Sequence, residues 1–194
     1  MAKLYYRYGA MNSGKTTLML QTAFNYEERG MKVLLVKPSI DLKGGDYVVS
    51  RLGATRKVDI LLKKDEDLYE IVKKKKKGIS CILVDEAQFL EPIQVDQLMK
   101  IVVDFNIAVI AYGIRNDFLT KGFPGSVRLL EIAHTIEEIK TICRCGKKAI
   151  YNARFVNGKL SVSGGQVAID GMDKVTYESV CPGCYYKLLE KSNK

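Results

Sequence analysis

Gly9, Ala10, Met11, Asn12, Ser13, Gly14, Lys15 and Thr16 fill every fixed position of the pattern G-x-x-x-x-G-K-[ST]. Each position has a chemical reason. The glycines let the backbone curl so that its N–H groups point inward at phosphate oxygens. Lys15 is a point charge directed toward β and γ phosphates, and the Thr16 hydroxyl can ligate Mg²⁺. A chance match in a turn is the plain alternative. The flanks weigh against it, because Leu4–Tyr8 reads as a short strand entering the loop and Lys15–Arg29 reads as a helix leaving it. That helix would add its positive N-terminal end to the same site.

Ile82-Leu83-Val84-Asp85-Glu86 is an apolar strand that ends in two acids. Ligands bind at the carboxyl ends of parallel strands, so both acids are expected beside the phosphate loop. Asp85 is expected to hold Mg²⁺ directly or through water. Two roles fit Glu86: activating a water in an ATPase, or taking a proton from a substrate hydroxyl in a kinase. The bland alternative is a solvated pair at a strand end.

The chain has five cysteines, and four of them fall beyond residue 140. Cys181-Pro182-Gly183-Cys184 is a good half-site for Zn²⁺, with Pro-Gly supplying the turn. Cys143-Arg144-Cys145 has a tighter spacer and is weaker evidence. Together they offer four soft ligands, which favours a closed structural zinc over a redox dithiol. Such a metal contributes folding energy to a small unit with little core of its own. Cys81 lies inside an apolar strand and reads as a small buried hydrophobe. His134, the only histidine, is assigned no role.

Elements must place these groups. Val33–Val36, Ile79–Val84 and Ile107–Tyr112 are continuous apolar runs, as strands buried on both faces should be. Gly30 is expected to end the first helix. A second helix is predicted over Asp65–Lys77 with Asp65 as N-cap, a third over Pro92–Phe105, and a short one over Ser126–Ala133. Ser39–Arg56 shows no period and reads as a long loop. Strands alternating with helices imply an α/β protein with a parallel sheet flanked by helices. The texture changes near residue 140. The expected division is a P-loop nucleotide-binding α/β domain over 1–140 and a small zinc-binding domain over 141–194.

The chain has 194 residues, 47% hydrophobic and 27% charged, which excludes extensive disorder. No apolar run approaches the roughly 18 residues of a bilayer span. The N-terminal residues lack the apolar region of a signal peptide, so a cytoplasmic protein without membrane partners is expected. The net charge of +9 suits acidic partners. Part of it sits in Lys73–Lys77, which reads as the solvated end of a helix rather than a nucleic-acid patch.

Four motifs in this order resemble the cytosolic (type II) thymidine kinase family. They are Tyr8–Thr16, Val84-Asp85-Glu86-Ala87-Gln88-Phe89, Tyr112-Gly113-Ile114-Arg115-Asn116-Asp117-Phe118 and Tyr177-Glu178-Ser179-Val180-Cys181-Pro182-Gly183-Cys184-Tyr185. The resemblance covers nearly the whole chain. It implies a P-loop (RecA-like) sheet with a zinc-binding C-terminal unit carrying a lasso loop. It implies transfer of the ATP γ-phosphoryl group to the 5′-hydroxyl of thymidine, and of deoxyuridine, with Glu86 as general base. Gln88 joins residues 9–16 and Asp85 on the ATP side. Phe89, Phe118 and Phe123 would pack around the nucleoside. Val167, Ala168, Ile169, Asp170 and Gly171 would be the lasso segment whose backbone bonds the pyrimidine. Tyr177 would pack near the sugar, Asn152 and Arg154 would stand on the substrate side, and Arg51 would reach phosphate. A homotetramer inhibited by dTTP is implied as well. The rival reading is a P-loop ATPase whose zinc ribbon acts on nucleic acid, which the +9 charge favours.

Overall fold

A computed structural model describes residues 1–41, 44–166 and 174–192. In chain order the first part comprises β1 (Leu4–Tyr8), α1 (Lys15–Glu27), β2 (Lys32–Pro38), β3 (Tyr47–Val49), β4 (Thr55–Lys57), β5 (Ile60–Leu62), α2 (Leu68–Lys75) and β6 (Ile79–Val84). A single 3₁₀ turn, Ala87–Phe89, leads to α3 (Pro92–Phe105), β7 (Ala108–Gly113), α4 (Pro124–Ile132) and β8 (Thr135–Glu138). The rest is β9 (Thr141–Ile142), β10 (Lys148–Ala149), β11 (Tyr151–Val156), β12 (Lys159–Leu160), β13 (Val175–Val180) and α5 (Pro182–Ser192).

Six strands form one sheet in the order β5-β2-β6-β7-β1-β8, and every pairing in it is parallel. Successive strand residues alternate between its faces. Leu34, Val36, Ile82, Val84, Val109 and Ala111 pack with Leu68 and Val72 of α2, Val95, Leu98 and Ile101 of α3, and Leu129 of α4. Val33, Leu35, Cys81, Leu83, Ile110 and Tyr112 pack on the other side with Met19 and Ala23 of α1. Both faces are covered, which is why the central strands read as unbroken apolar runs. Truncating a fully buried core leucine such as Leu98 to alanine costs about 2–5 kcal/mol.

Helix ends follow local chemistry. Regular α1 stops at Glu27 rather than Arg29, and Gly30 then closes it as expected. Gly30 sits at φ 72°, its N–H bonds the Glu27 carbonyl (2.9 Å) and the Met31 N–H bonds the Tyr26 carbonyl (3.0 Å), a Schellman cap. The cap of α2 is Asp67, whose side chain accepts from the Glu70 N–H, and not Asp65. The shift has a tertiary cause. The buried Gln94 side chain donates to the carbonyls of Lys63 and Glu66 and holds 63–66 as a turn outside the helix.

Other expectations needed correction. The segment expected as a loop over 39–56 instead carries most of the antiparallel β3–β4 hairpin, which ends at Lys57, with Val48 buried between exposed Tyr47 and Val49. Three-residue strands are too short to show a period. β5 and β8 are edge strands of the main sheet that the apolar pattern did not mark; β8 reads Thr-Ile-Glu-Glu and is half-exposed. The strand expected over Ile107–Tyr112 runs one residue later, and the helix expected from Ser126 begins at Pro124.

Beyond residue 140 the pairings are antiparallel: β9 with β10, and β11 between β12 and β13. A third apolar cluster, including Cys143, Ala149, Ala153, Val180, Cys181 and Tyr185, fills this part.

Candidate active site

The phosphate loop leaves the carboxyl end of β1, between β7 and β8. Gly14 takes the left-handed conformation (φ 81°) that turns the chain into α1, where a side chain would be strained. The Gly9 N–H bonds the Gly113 carbonyl (3.2 Å), tying the loop to β7. Lys15 is buried, and its Nζ donates to the carbonyls of Ala10 (2.9 Å) and Gly9 (3.3 Å) and to Ser13 Oγ (3.4 Å). Met11, Asn12, Gly14, Lys15 and Thr16 face a cavity of about 800 Å³. Gly9, Ala10 and Ser13 support the loop from behind that wall.

Glu86 stands on the same wall as Lys15 and Thr16. Its backbone is left-handed (φ 46°), an uncommon state for a residue with a Cβ and one that persists only where the surroundings impose it. Gln88 holds the carboxylate: its Nε2 donates to Glu86 Oε2 at 2.5 Å, while its Oε1 accepts from the Ile114 N–H at 3.1 Å. Gly113 makes room for that amide, because a Cβ there would lie 2.7 Å from Gln88 Oε1. Asp85 is buried, 6% exposed. Burial, and then the adjacent Glu86 carboxylate, push its carboxyl up to about 7, against the opposing pull of the Glu86 amide and Lys15.

The same cavity also has aromatic walls. Phe89, Phe118, Phe123 and Tyr177 all line it. Phe89 and Phe123 meet edge to face, centroids 5.7 Å apart. Phe118 is fixed from two directions: the Arg154 guanidinium lies 3.5 Å from its ring centroid, and the Tyr185 hydroxyl donates to its carbonyl at 2.7 Å. Arg154 was expected on the substrate side and does not reach the cavity wall. It is buried and donates to Ser161 Oγ and to the carbonyls of Ser163 and Gly165, which anchors residues 161–165. Arg51 and Asn152 do line the cavity. The segment Val167–Gly171 lies outside the described residues.

Several wall residues escaped the reading of the sequence. Asp41 faces the cavity and pairs with the buried Lys37 (3.0 Å). A signal existed: Asp41 sits four residues after Lys37, just past the carboxyl end of β2, where parallel sheets bind ligands. Asp117 also lines the cavity and is buried, accepting from the Leu119 and Lys121 N–H groups and from Gln166 Nε2. The first two bonds close a local turn, whereas the Gln166 bond joins distant segments and spacing alone carried no sign of it.

Cys143, Cys145, Cys181 and Cys184 converge, with all four sulfurs within 4.8 Å of one another and Cys145 Sγ 3.6 Å from Cys181 Sγ. Ligands about 2.3 Å from a tetrahedral Zn²⁺ stand about 3.8 Å apart, so the set fits that metal. The one-residue spacer does not prevent convergence. The Cys143 N–H bonds the Lys147 carbonyl and the Gly146 N–H bonds the Cys143 carbonyl, both at 2.8 Å, folding the turn so that Cys143 points inward. Burial opposes ionisation of Cys143, but the N–H groups of Cys145 and Cys181 outweigh it and hold the thiol down to about 6. The Cys184 N–H lowers Cys181 likewise, while hydrogen bonds with the other thiols, Cys145 first, push Cys184 up to about 12. Cys81 is fully buried as expected, and His134 Nδ1 accepts from the Leu4 N–H (3.1 Å).

A phosphate loop between a parallel strand and a helix, with an acidic strand end on the same cavity, defines a P-loop nucleotide-binding protein. A family model described as thymidine kinase matches residues 2–185, and the chain belongs to that family. It is 43% identical over 185 residues to a thymidine kinase of Ruegeria pomeroyi, covering 93% of this chain and 92% of the relative. It is 44% identical over 195 residues to a thymidine kinase of Enterobacteria phage T4, covering 98% and 99%. A solved Bacteroides Pif1 bound to single-stranded DNA aligns at 12% identity over 71% of this chain and 38% of that one, with a TM-score of 0.40.

Proposed function

We propose that the protein transfers the γ-phosphoryl group of ATP to the 5′-hydroxyl of thymidine. One observation carries this reading within the family: a single cavity joins Lys15 and Thr16, the Glu86 carboxylate, and an aromatic end formed by Phe89, Phe118, Phe123 and Tyr177. Residues 9–16 would cradle the triphosphate. Phosphoryl transfer depends on positioning and on neutralising charge, and Lys15 with the loop N–H groups supplies both. Thr16 and Asp85 would hold Mg²⁺, which when bound with ATP offsets charge on the β and γ oxygens. Asp41 adds a carboxylate on the same wall.

Glu86 is the proposed general base, and Gln88 fixes it through the 2.5 Å bond. The aromatic set would enclose the base and sugar, and by family likeness the backbone of 167–171 would bond the pyrimidine. Deoxyuridine would be accepted by the same shape. The four cysteines would hold a structural Zn²⁺, which when bound ties β9–β10 to the start of α5. Feedback by dTTP, a tetrameric assembly and a cytoplasmic location complete the reading, and the family likeness supports them. No described helix is long and apolar enough to cross a membrane.

Labelled ATP offered with a panel of nucleosides tests the proposal. Label should appear in thymidine monophosphate. ATP hydrolysis that ignores thymidine and rises with DNA would favour the rival ATPase instead.

A further inference from the structure

The tip of the phosphate loop is held from outside its own sheet. The Met11 N–H donates to Asn152 Oδ1 at 2.7 Å, and the Met11 carbonyl accepts from the Ser179 hydroxyl. Asn152 lies on β11 and Ser179 on β13, and the two are directly opposite in the antiparallel register. Both side chains are buried. Asn152 is itself oriented, because its Nδ2 donates to the Asn116 carbonyl (3.4 Å) beyond the end of β7. One rung of the C-terminal ladder therefore holds two consecutive peptide planes of the loop, 10–11 and 11–12.

Those planes matter for a phosphate site. A trans peptide sets its C=O and N–H on opposite sides. With the Met11 carbonyl fixed on Ser179, the Asn12 N–H points away from Ser179, and Asn12 borders the cavity. Asn12 also takes a positive φ (65°), a conformation that persists only where its neighbours over-determine it. Within the loop itself the turn is spanned by a long backbone bond, Ser13 N–H to the Ala10 carbonyl at 3.3 Å, and by the Lys15 Nζ bonds to the Gly9 and Ala10 carbonyls, none of which fixes the Met11–Asn12 peptide. Tyr177 precedes Ser179 by two residues and so projects from the same face of β13. The same strand thus borders the aromatic end through Tyr177 and grips the phosphate loop through Ser179.

We propose that Asn152 and Ser179 are positioning residues for the nucleotide: the C-terminal unit sets the phosphate loop in the shape that binds ATP. This rests on the kinase reading, but its test does not require the acceptor to be thymidine. Ser179 does not line the cavity, so Ser179→Ala in the full-length protein removes one bond to the loop and no contact to an acceptor. The affinity for a non-hydrolysable ATP analogue with Mg²⁺, read by calorimetry, should fall about fivefold to tenfold, the size of one lost hydrogen bond. KM for ATP should rise in parallel while KM for thymidine changes less than about twofold, the shift being confined to one substrate. Ser179→Thr keeps the hydroxyl and should restore analogue affinity. Analogue affinity equal to wild type in a folded Ser179→Ala protein overturns the proposal. Equal rises in both KM values overturn it too, because they mean general loosening. If Ser179→Ala does not fold, Asn152→Ala takes its place on the analogue measurement, with retained affinity the refuting result. Failure of the kinase reading would show separately, as analogue binding with no labelled nucleoside monophosphate.

Discussion

The two ends of the cavity are built in opposite ways. The phosphate end comes from one uninterrupted stretch, residues 9–16, at the end of β1, an interior strand beside the edge strand β8. The aromatic end is assembled from Phe89 in a 3₁₀ turn, Phe118 and Phe123 in the β7–α4 connection, and Tyr177 on β13. A loop that must wrap one invariant chemical group can be encoded locally, because backbone N–H groups do the binding. A pocket that must fit one acceptor draws walls from wherever the fold brings side chains together. Glu86 lines the same cavity and is held by Gln88 from its own segment, and Gln88 is in turn held by the Ile114 N–H from the connection after β7.

The largest expected effect lies at that carboxylate. Glu86→Gln keeps the shape and removes the proposed base, so kcat should drop on the order of 10²-fold or more. Affinity for a non-hydrolysable ATP analogue should be unchanged. Steady-state rates with thymidine, beside calorimetry of the analogue, make the check. Normal turnover in the variant would mean that the two ends share no catalytic group at residue 86.

Removing zinc should separate the ends by degree. Chelation frees the β9–β10 turn from the start of α5; Tyr185, which holds the Phe118 carbonyl, packs with Cys143 and Cys181 at that joint, and β13, which carries Tyr177, runs directly into Cys181. Loss of one aromatic contact to a base costs about 1–3 kcal/mol, so thymidine affinity should fall roughly tenfold or more. ATP affinity should fall less, because most of residues 9–16 is held by β1, β7 and α1. Elemental analysis that finds no metal in freshly purified protein removes the premise. A larger loss for ATP than for thymidine reverses the comparison.

What could be read from the residues follows the same division. The phosphate loop, the acidic pair and the four cysteines are short patterns whose spacing carries their chemistry: Lys15, Thr16 and Glu86 line one cavity and the four sulfurs converge, while Asp85 is buried and is not among the lining residues. The central strands were legible because burial on both faces removes polar residues from them. The Asn152–Ser179 rung and the Gln166 bond to Asp117 were not, since both join segments far apart in sequence, and Asp41 was passed over although its partner Lys37 stands only four residues before it. Arg154, placed on the substrate side by the family resemblance, has structural partners that the sequence did not show: its guanidinium lies over Phe118 and donates to Ser161 Oγ and to the carbonyls of Ser163 and Gly165. The edge strands β5 and β8 failed for another reason, because short half-exposed strands have too little alternation to register.

The smallest effect is a control on the whole comparison. Asp67 caps α2, whose Leu68 and Val72 are buried in the core away from the cavity. Asp67→Ala leaves the Glu70 N–H without its side-chain acceptor and should cost about 1 kcal/mol. For a chain of this length that lowers Tm by about 2–4 °C. Both KM values should stay at wild type. Asp65→Ala, at the position whose sequence alone suggested the cap, should change Tm by less, because Asp65 makes no bond to the helix start among the described residues. If Asp67→Ala did move both KM values, uniform softening of the sheet would reach the cavity. Kinetic shifts in the Ser179 and Glu86 variants would then no longer report on one end alone.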